Sequence, residues 1–144
     1  KMLRTMRVKF KAYYAFQDDQ LNEIIRTGVI RIPISNRIRV VGHAPKPTEC
    51  MNTPIQGGAA GLMNMKLLEL VDELPHLLPR GSRQSLPKLV AQIHDAAMFD
   101  TPKPLAKDLR AMIKEVTEKP VELGGHMVRF PTEIKEGARW SAAA

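Results

Sequence analysis

The residues best suited to chemistry in this sequence are a histidine and an aspartate between two short apolar runs. His94 and Asp95 follow Lys88–Ile93 and precede Ala96–Thr101, and both runs have strand-like composition. This pattern predicts a tight turn with the two side chains at its tip. Mg²⁺ takes oxygen ligands and commonly uses one or two protein carboxylates with substrate phosphates, so Asp95 qualifies as one ligand.

The same pair also fits a turn that carries no chemistry. Aspartate is common in turns because its side chain hydrogen-bonds to nearby backbone. A lone His-Asp pair also arises often by chance. Spacing alone favours this second interpretation.

A second polar segment precedes a run of small residues. Asn52 and Gln56 are four residues apart, so on a helix they share a face and could offer amide groups to base edges or sugars. Alternatively, Thr53 to Gln56 matches a capping box, which would occupy Gln56 with backbone hydrogen bonds at a helix start. The glycines in Gly57–Gly61 each weaken a helix by up to ~1 kcal/mol. They indicate a close approach of this backbone to DNA or to another element.

Composition restricts the class of protein. The 144 residues fit one domain and carry a net charge of +7, with basic residues concentrated in Lys1–Lys11 and Arg26–Lys46. Such a balance favours polyanions, because basic side chains release counterions from phosphates. The single cysteine, Cys50, excludes an intramolecular disulfide, and no Cys/His cluster suggests zinc. With no apolar run near ~20 residues and no signal peptide, we expect a cytoplasmic chain.

Hydrophobic periodicity predicts an alternation of helices and hairpins. Helices are expected at Met2–Thr27 with Gly28 as the stop, at about Thr53–Leu74 with Pro54 in the first position, and at Pro104–Glu118. The second helix should bury a stripe of Leu62, Met65, Leu68, Leu70 and Val71. Besides the two runs around His94, strands are expected at Val29–Ile32 and Arg37–Val41, forming a hairpin with an arginine-lined face, and at Met127–Ile134. Loops are expected at Gly42–Cys50 and Pro75–Pro87, and the Ser141–Ala144 tail should fray.

Four segments carry a resemblance to a known family. Ile93-His94-Asp95 resembles motif C of family A (polymerase I-like) DNA polymerases, a Val/Ile-His-Asp turn usually followed by Glu. Residues 52–60 resemble the family's Asn-x-Pro-x-Gln-Gly-Thr-Ala-Ala segment. Residues 28–41 resemble Gly-Tyr-Val-x-Thr-x-x-Gly-Arg-Arg-Arg, and residues 130–140 resemble the closing Val-Pro-x-x-x-Glu-x-x-x-Gly-x-Asn-Trp. The four occur in the family's order and cover about Val8–Ser141.

Single-subunit RNA polymerases also carry a His-Asp motif C. The Asn-x-Pro-x-Gln-Gly segment and the closing Gly-x-x-Trp favour the DNA enzymes.

The resemblance implies roles for individual residues. Asp95 should be a catalytic metal ligand for Mg²⁺, and His94 should lie near the primer terminus. Several polar or basic residues should contact template-primer DNA, chiefly in the minor groove, where hydrogen-bond acceptors are nearly shared among base pairs. These residues are Asn52, Gln56, Gln92, Arg37 and Arg39.

The chain also departs from the family pattern. Ala96 stands where the family usually has Glu, and Thr48 stands where it has an arginine. The hairpin lacks the usual Gly-Arg-Arg turn. Neither a motif A strand with a second aspartate nor the nucleotide-gripping fingers helix occurs in these residues, and Asp18-Asp19 is interpreted as a solvated pair on a helix.

We therefore expect an α+β fold, an incomplete polymerase domain in which antiparallel palm hairpin strands pack with long fingers and palm helices. The fingers helices and hairpin should span about residues 1–75, and motif C with the C-terminal helix and strand about residues 76–144. The implied function is that of a C-terminal subunit, or separately encoded portion, of a split phage-type DNA polymerase.

In the assembled enzyme, a primer 3′-hydroxyl would attack the α-phosphate of a dNTP with two Mg²⁺ ions bound. Template-primer DNA, dNTP and a second chain with motif A and the fingers helix are the expected partners. The alternatives are a non-catalytic basic DNA-binding accessory or relic, and an incomplete piece of a longer polymerase.

Overall fold

The computed structural model describes residues 2–79 and 81–139. Trp140, which closes the last family-like motif, and the Ser141–Ala144 tail lie outside them. Within the described residues, α-helices are interspersed with antiparallel two-stranded sheets, which confirms the α+β class. The chain divides into two compact units, residues 1–62 and 63–144.

The elements follow one another as helices and hairpins. The helices are α1 (Met2–Lys9), α2 (Lys11–Thr27), α3 (Pro47–Glu73) and α4 (Ala106–Thr117). The hairpins are β1 (Val29–Arg31) with β2 (Ile38–Val40), β3 (Lys88–Ile93) with β4 (Ala96–Asp100), and β5 (Val121–Leu123) with β6 (His126–Val128). Short 3₁₀ helices occupy Leu74–Leu77 and Lys103–Leu105. Nowhere in the described part of the chain is a helix long and apolar enough to cross a membrane.

The segment predicted as one N-terminal helix forms two. The backbone of Phe10 leaves the helical region, with φ −114° and ψ 44°, and this separates α1 from α2. Gly28 ends α2 as predicted. Its φ is 71° and its N–H donates to the Ile24 carbonyl at 2.7 Å, a left-handed C-cap that glycine adopts without a Cβ penalty.

The core of the first unit joins α2, β1 and α3. Ile24, Ile30 and Cys50 are buried together, with Leu21, Val41 and Met51 packed against them. Desolvation, with a smaller effect of the Glu49 carboxylate, raises the pKa of the Cys50 thiol. Cys50 therefore stays neutral at physiological pH and behaves as a small apolar core residue.

The start of α3 corrects the predicted boundary. The helix begins at Pro47, so the last four residues of the predicted loop Gly42–Cys50 are helical and Pro54 lies in the helix interior. Pro47 suits the first position because its missing N–H would have no helical partner there. Pro54 forgoes a bond to the carbonyl of Cys50. Burial of Cys50 with Ile24 and Ile30 stabilises this first part of α3.

The glycines of α3 let the loop of the first hairpin lie against the helix. A Cβ built on Gly57 would lie 2.8 Å from Ile32 Cγ2, which is closer than real Cβ contacts. Pro33 and Ser35 similarly approach Gly58 and Gly61. The predicted close approach is therefore confirmed for another element of the protein.

The core of the second unit lies between α3, α4 and the β3–β4 hairpin. Leu67, Leu70 and Val116 are buried, and the partly buried residues around them are Met63, Leu89, Ala97, Phe99, Met112 and Ile113. Helix α4 confirms its prediction. The predicted stripe on α3 is wrong apart from Leu70 and the half-buried Leu62, because packing selects Leu67, Leu70 and Leu74 and leaves Met65, Leu68 and Val71 exposed.

The C-terminal strand is shorter than predicted. It ends at Val128 and pairs with β5 across Gly124 and Gly125, both with positive φ. Residues 129–139 form neither helix nor strand. The Gly-Gly turn was the local signal for a hairpin here.

A charged group is buried on α3. Lys66 is only 6% exposed, and its ammonium lies 3.7 Å from the Glu69 carboxylate, which also binds the Lys119 ammonium after α4. The hydrogen bond from Lys119 is the main cause that lowers the pKa of Glu69. The Glu69 carboxylate thus forms ion pairs with two ammonium groups, and one of them, that of Lys66, is buried.

Replacing Gly57 should reveal the close approach of Ile32. Gly57→Ala is expected to destabilise the protein by about 1–3 kcal/mol, because the new methyl group must displace Ile32. Gly58→Ala is the matched control. Its Cβ would lie 3.6 Å from Pro33, an ordinary contact, so it should gain helix propensity of up to ~1 kcal/mol. Equal free energies of unfolding in urea for the two variants would contradict this packing.

The Lys66–Glu69 pair should respond asymmetrically to substitution. Glu69→Gln is expected to lower the free energy of unfolding by about 1–2 kcal/mol, because it leaves the buried Lys66 ammonium without a carboxylate. Lys66→Met should be neutral or stabilising, since it removes the buried charge.

The pH dependence supplies an internal check on the same pair. Because folding lowers the pKa of Glu69, its stabilisation is present above the ordinary glutamate value of 4.5 and is lost as the pH falls through the lower folded value. Glu69→Gln should remove this component from the stability profile measured between about pH 6 and pH 3. An unchanged profile would contradict the role of Glu69.

Candidate functional site

The turn between β3 and β4 confirms the predicted geometry around His94 and Asp95. Ile93 pairs with Ala96, so the turn consists of His94 and Asp95 alone. His94 has a φ of 55°, in the left-handed region that non-glycine residues seldom adopt. Both side chains are exposed.

Packing of the hairpin fixes where this turn lies. Leu89 of β3 and Ala97 and Phe99 of β4 pack on the buried residues Leu67 and Leu70 of α3. A register irregularity between Leu89 and Ala91 interrupts the ladder near the far end of the hairpin. Between Ala91 and the turn the two strands pair regularly, so the position of the turn follows from the packing of the hairpin on the core.

Gln92 has a partner that the sequence did not reveal. Its amide nitrogen donates to Asn64 Oδ1 of α3 at 3.3 Å, and both residues are exposed. Asn64 therefore orients Gln92 two residues before His94. No motif marked Asn64, and its position four residues before Leu68 would have placed it beside the predicted buried stripe.

The Asp95 carboxylate is available to a ligand. Among residues 2–79 and 81–139, no hydrogen bond or ion pair to it is formed. Ala96, beside it, adds no second carboxylate, and Asp100 lies at the opposite end of β4, paired with Lys88. The described residues contain no group of three or more His, Cys, Asp or Glu side chains able to hold a metal.

The amide residues of the first unit lie on an exposed face of α3. Asn52 and Gln56 are both exposed and one helical turn apart. Because α3 begins at Pro47, Thr53 does not cap the helix, and the capping-box alternative for Gln56 is wrong. Within residues 2–79 and 81–139 neither the Asn52 nor the Gln56 side chain forms a hydrogen bond, so both amide groups can contact a ligand from this face.

The hairpin arginines do not form one face. In the register of β1 and β2, Arg39 is opposite Ile30 whereas Arg31 is opposite Ile38, so these two arginines point to opposite sides. Arg37 shares the side of Arg39 and is exposed. The predicted arginine-lined face therefore holds for Arg37 and Arg39 but not for Arg31, which the register of the two strands places on the other side.

Arg39 has a structural contact. Its guanidinium donates to the Glu49 carboxylate and to Thr53 Oγ1, the latter at 3.2 Å, on successive turns of α3. The side chain is still half exposed. Arg39 thus ties β2 to the helix that carries Asn52 and Gln56.

Comparison with known proteins bears on this arrangement. The sequence profile of DNA polymerase family A matches residues 6–142. The thermostable DNA polymerase I of Thermus thermophilus is 33% identical over 110 residues, which are 76% of this chain and 12% of that protein. DNA polymerase I of Bacillus subtilis is 29% identical over 141 residues, which are 91% of this chain and 15% of that protein.

The thermostable DNA polymerase I of Thermus filiformis gives a similar match, 31% over 110 residues and 12% of its length. The chain thus spans less than a sixth of each of these relatives. The match nevertheless runs through both units and includes the His94–Asp95 turn. By this match and its four ordered motifs, the chain belongs to DNA polymerase family A.

Proposed function

We propose that this chain supplies the motif C portion of a template-directed DNA polymerase active site, with Asp95 as one carboxylate ligand of the catalytic Mg²⁺ ions. The observation that carries the proposal is an exposed, unpaired carboxylate on a two-residue turn whose strands are fixed by the core. A carboxylate held this way meets a cation without first losing side-chain partners.

The donor set fits Mg²⁺ in part. One carboxylate with substrate phosphates is a common way to hold this ion, and Asp95 supplies that carboxylate. Two ions ~3.5–4 Å apart need more than one protein carboxylate, and the described residues form no such cluster. When bound, the ions would stabilise the attacking and leaving oxygens of the phosphoryl transfer.

Other residues of the chain are assigned to the DNA. His94 would lie at the primer terminus, and Gln92, oriented by Asn64, would face the same duplex. Asn52 and Gln56 would contact minor-groove acceptors from the exposed face of α3. Arg37 is exposed and suited to a phosphate, whereas Arg39 would serve chiefly to hold β2 against α3.

The remaining machinery must come from residues beyond these 144. Motif A and the nucleotide-gripping fingers helix would lie on a second chain of a split enzyme or on the same polypeptide. We assign residues up to about 75 to the fingers and residues from about 76 to the palm. The mass of the natural protein and the chains that copurify with it distinguish these arrangements.

A second candidate function is a basic DNA-binding accessory without catalysis. It is favoured by the lone carboxylate of the turn and by Ala96 beside it. Under this alternative, loss of the Asp95 charge would leave function intact.

Asp95→Asn tests the metal assignment. In the complex copurified from the native source, it should reduce primer extension on the order of 100-fold or more, because a direct ligand matters at least as much as the groups that orient one. Duplex affinity should change only modestly. Asp100→Asn, the same change at the other end of β4, is the matched control and should extend primers normally. Undiminished synthesis by Asp95→Asn would refute the assignment.

The isolated chain provides a separate check. By itself it should not extend a primer, since it lacks a second carboxylate and the nucleotide-gripping helix. Primer extension by the purified 144-residue chain alone would show that the missing parts are not needed.

The two arginines of the first hairpin should separate DNA binding from stability. Arg37→Ala should weaken binding to a 20-base-pair duplex and reduce the slope of log K against log salt by ~0.9, the contribution of one phosphate contact. Arg39→Ala should instead lower the free energy of unfolding by about 0.5–1 kcal/mol, because an exposed pair contributes little more. Fluorescence anisotropy and urea denaturation measure the two effects. Identical behaviour of the two variants would contradict this division.

A further inference from the structure

The N-terminal part of the first unit combines exposed aromatic rings with a run of basic residues that contains no acidic one. Residues 1–17 hold five of the 22 basic residues and none of the 15 acidic ones, so they account for five of the seven net charges. Residues 10–16 hold four of the six Phe and Tyr residues. Among the side chains that the structure describes, those of residues 5–17 do not enter either buried core, so core packing does not explain the cluster of rings.

The rings are presented to solvent. Phe10, Tyr13 and Phe16 follow one another at three-residue spacing and are 46%, 55% and 53% exposed. Tyr13 and Phe16 are three residues apart on α2 and therefore lie along one side of that helix, and Phe10 immediately precedes it. Neighbouring exposed apolar side chains can form an interaction site, whereas singly exposed ones need no explanation.

Cations accompany these rings. The Arg7 guanidinium lies 5.2 Å from the centre of the Tyr14 ring, and the Lys9 ammonium lies 5.9 Å from that of Phe10. Lys11 is exposed between Phe10 and Tyr13. A strand that stacks on the rings therefore has basic side chains within the same short stretch of chain to contact its phosphates.

We propose that this aromatic–basic surface, formed by Arg7, Lys9, Phe10, Lys11, Tyr13 and Phe16, binds single-stranded nucleic acid. Unpaired bases expose the π-faces that stack on aromatic side chains, while their phosphates contact the lysines and arginine. A duplex keeps its bases stacked internally and offers these rings no such face. A protein partner would have to bury Lys9 and Lys11, although lysine is depleted at the centre of protein interfaces.

This site does not depend on the metal role of Asp95. Single-strand binding uses side chains of residues 7–16, whereas Asp95 is on the β3–β4 turn. Asp95→Asn should therefore leave single-strand affinity unchanged even if it abolishes synthesis, and failure of either proposal can be recognised separately.

Removal of the rings is the first test. Tyr13→Leu with Phe16→Leu keeps apolar side chains and helix propensity but removes two stacking platforms. Because stacking on one ring contributes ~1–3 kcal/mol, we expect at least ~10-fold weaker binding of a fluorescein-labelled 20-nucleotide oligo-dT to the full 144-residue chain. Phe130→Leu, which removes an exposed ring elsewhere, is the matched control and should bind like the parent.

Removal of the charges is the second test. Lys9→Gln with Lys11→Gln should reduce the salt slope for oligo-dT by ~1.4, the value for two phosphate contacts on a single strand. Lys107→Gln with Lys114→Gln makes the same charge change on exposed positions of α4 and should leave the slope unchanged. Oligo-U in place of oligo-dT distinguishes RNA from DNA as the source of the strand.

Several results would overturn the proposal. Unchanged oligo-dT affinity in the ring variant would exclude stacking. An equal decrease of the salt slope in the two double lysine variants would show that only the net charge of the chain matters. Equal competition by a 20-base-pair duplex would also contradict base stacking. Sedimentation that shows the parent chain dimeric and the ring variant monomeric, both without DNA, would assign the surface to self-association instead.

Discussion

The register of the β3–β4 hairpin on α3 is the constraint on which the candidate site depends. Ile93 pairs with Ala96, and Leu89, Ala97 and Phe99 enter the core with Leu67 and Leu70. A shift of one residue would turn these apolar side chains to solvent and move the turn away from His94 and Asp95. The position of the Asp95 carboxylate is thus set by hydrophobic packing at the other end of the strands, not by contacts of its own.

Backbone strain in this fold is not by itself a mark of function. His94 has a φ of 55° at the candidate site, but Ile34, in the loop of the first hairpin, has a φ of 67°. A β-branched residue in this region is rarer than histidine, and the neighbouring Pro33 and Ser35 lie against the α3 glycines. Packing can therefore impose such a conformation without chemistry. At His94 the basis for proposing a functional role is the pair of side chains that the turn exposes, together with the family motif.

Features that depend on a few neighbouring residues were predicted well from the sequence. Features that depend on tertiary contacts were not. The His94–Asp95 turn, α4 and the Gly28 stop follow from alternation, period and capping within a few residues. The start of α3 was predicted at about Thr53 with Pro54 first, whereas burial of Cys50 with Ile24 and Ile30 extends the helix back to Pro47. The side on which each arginine of the first hairpin lies depends on register, which composition does not determine. The family assignment succeeded because it used the order of four motifs, each weak alone.

Total charge is a poorer guide to a polyanion site than the location of unpaired charge. Several basic side chains are already opposed by carboxylates within the protein, namely Arg26, Arg39, Lys66, Arg110 and Lys119. Three of them, Lys66, Arg110 and Lys119, lie in the second unit, and Arg26 and Arg39 lie in the basic segment Arg26–Lys46. Residues 1–17 and residues 24–48 each hold five basic residues and no acidic one, and two of the five in the second stretch are paired. In the first of these stretches the basic residues occur together with exposed rings, which is the basis for proposing a nucleic acid strand as the ligand there.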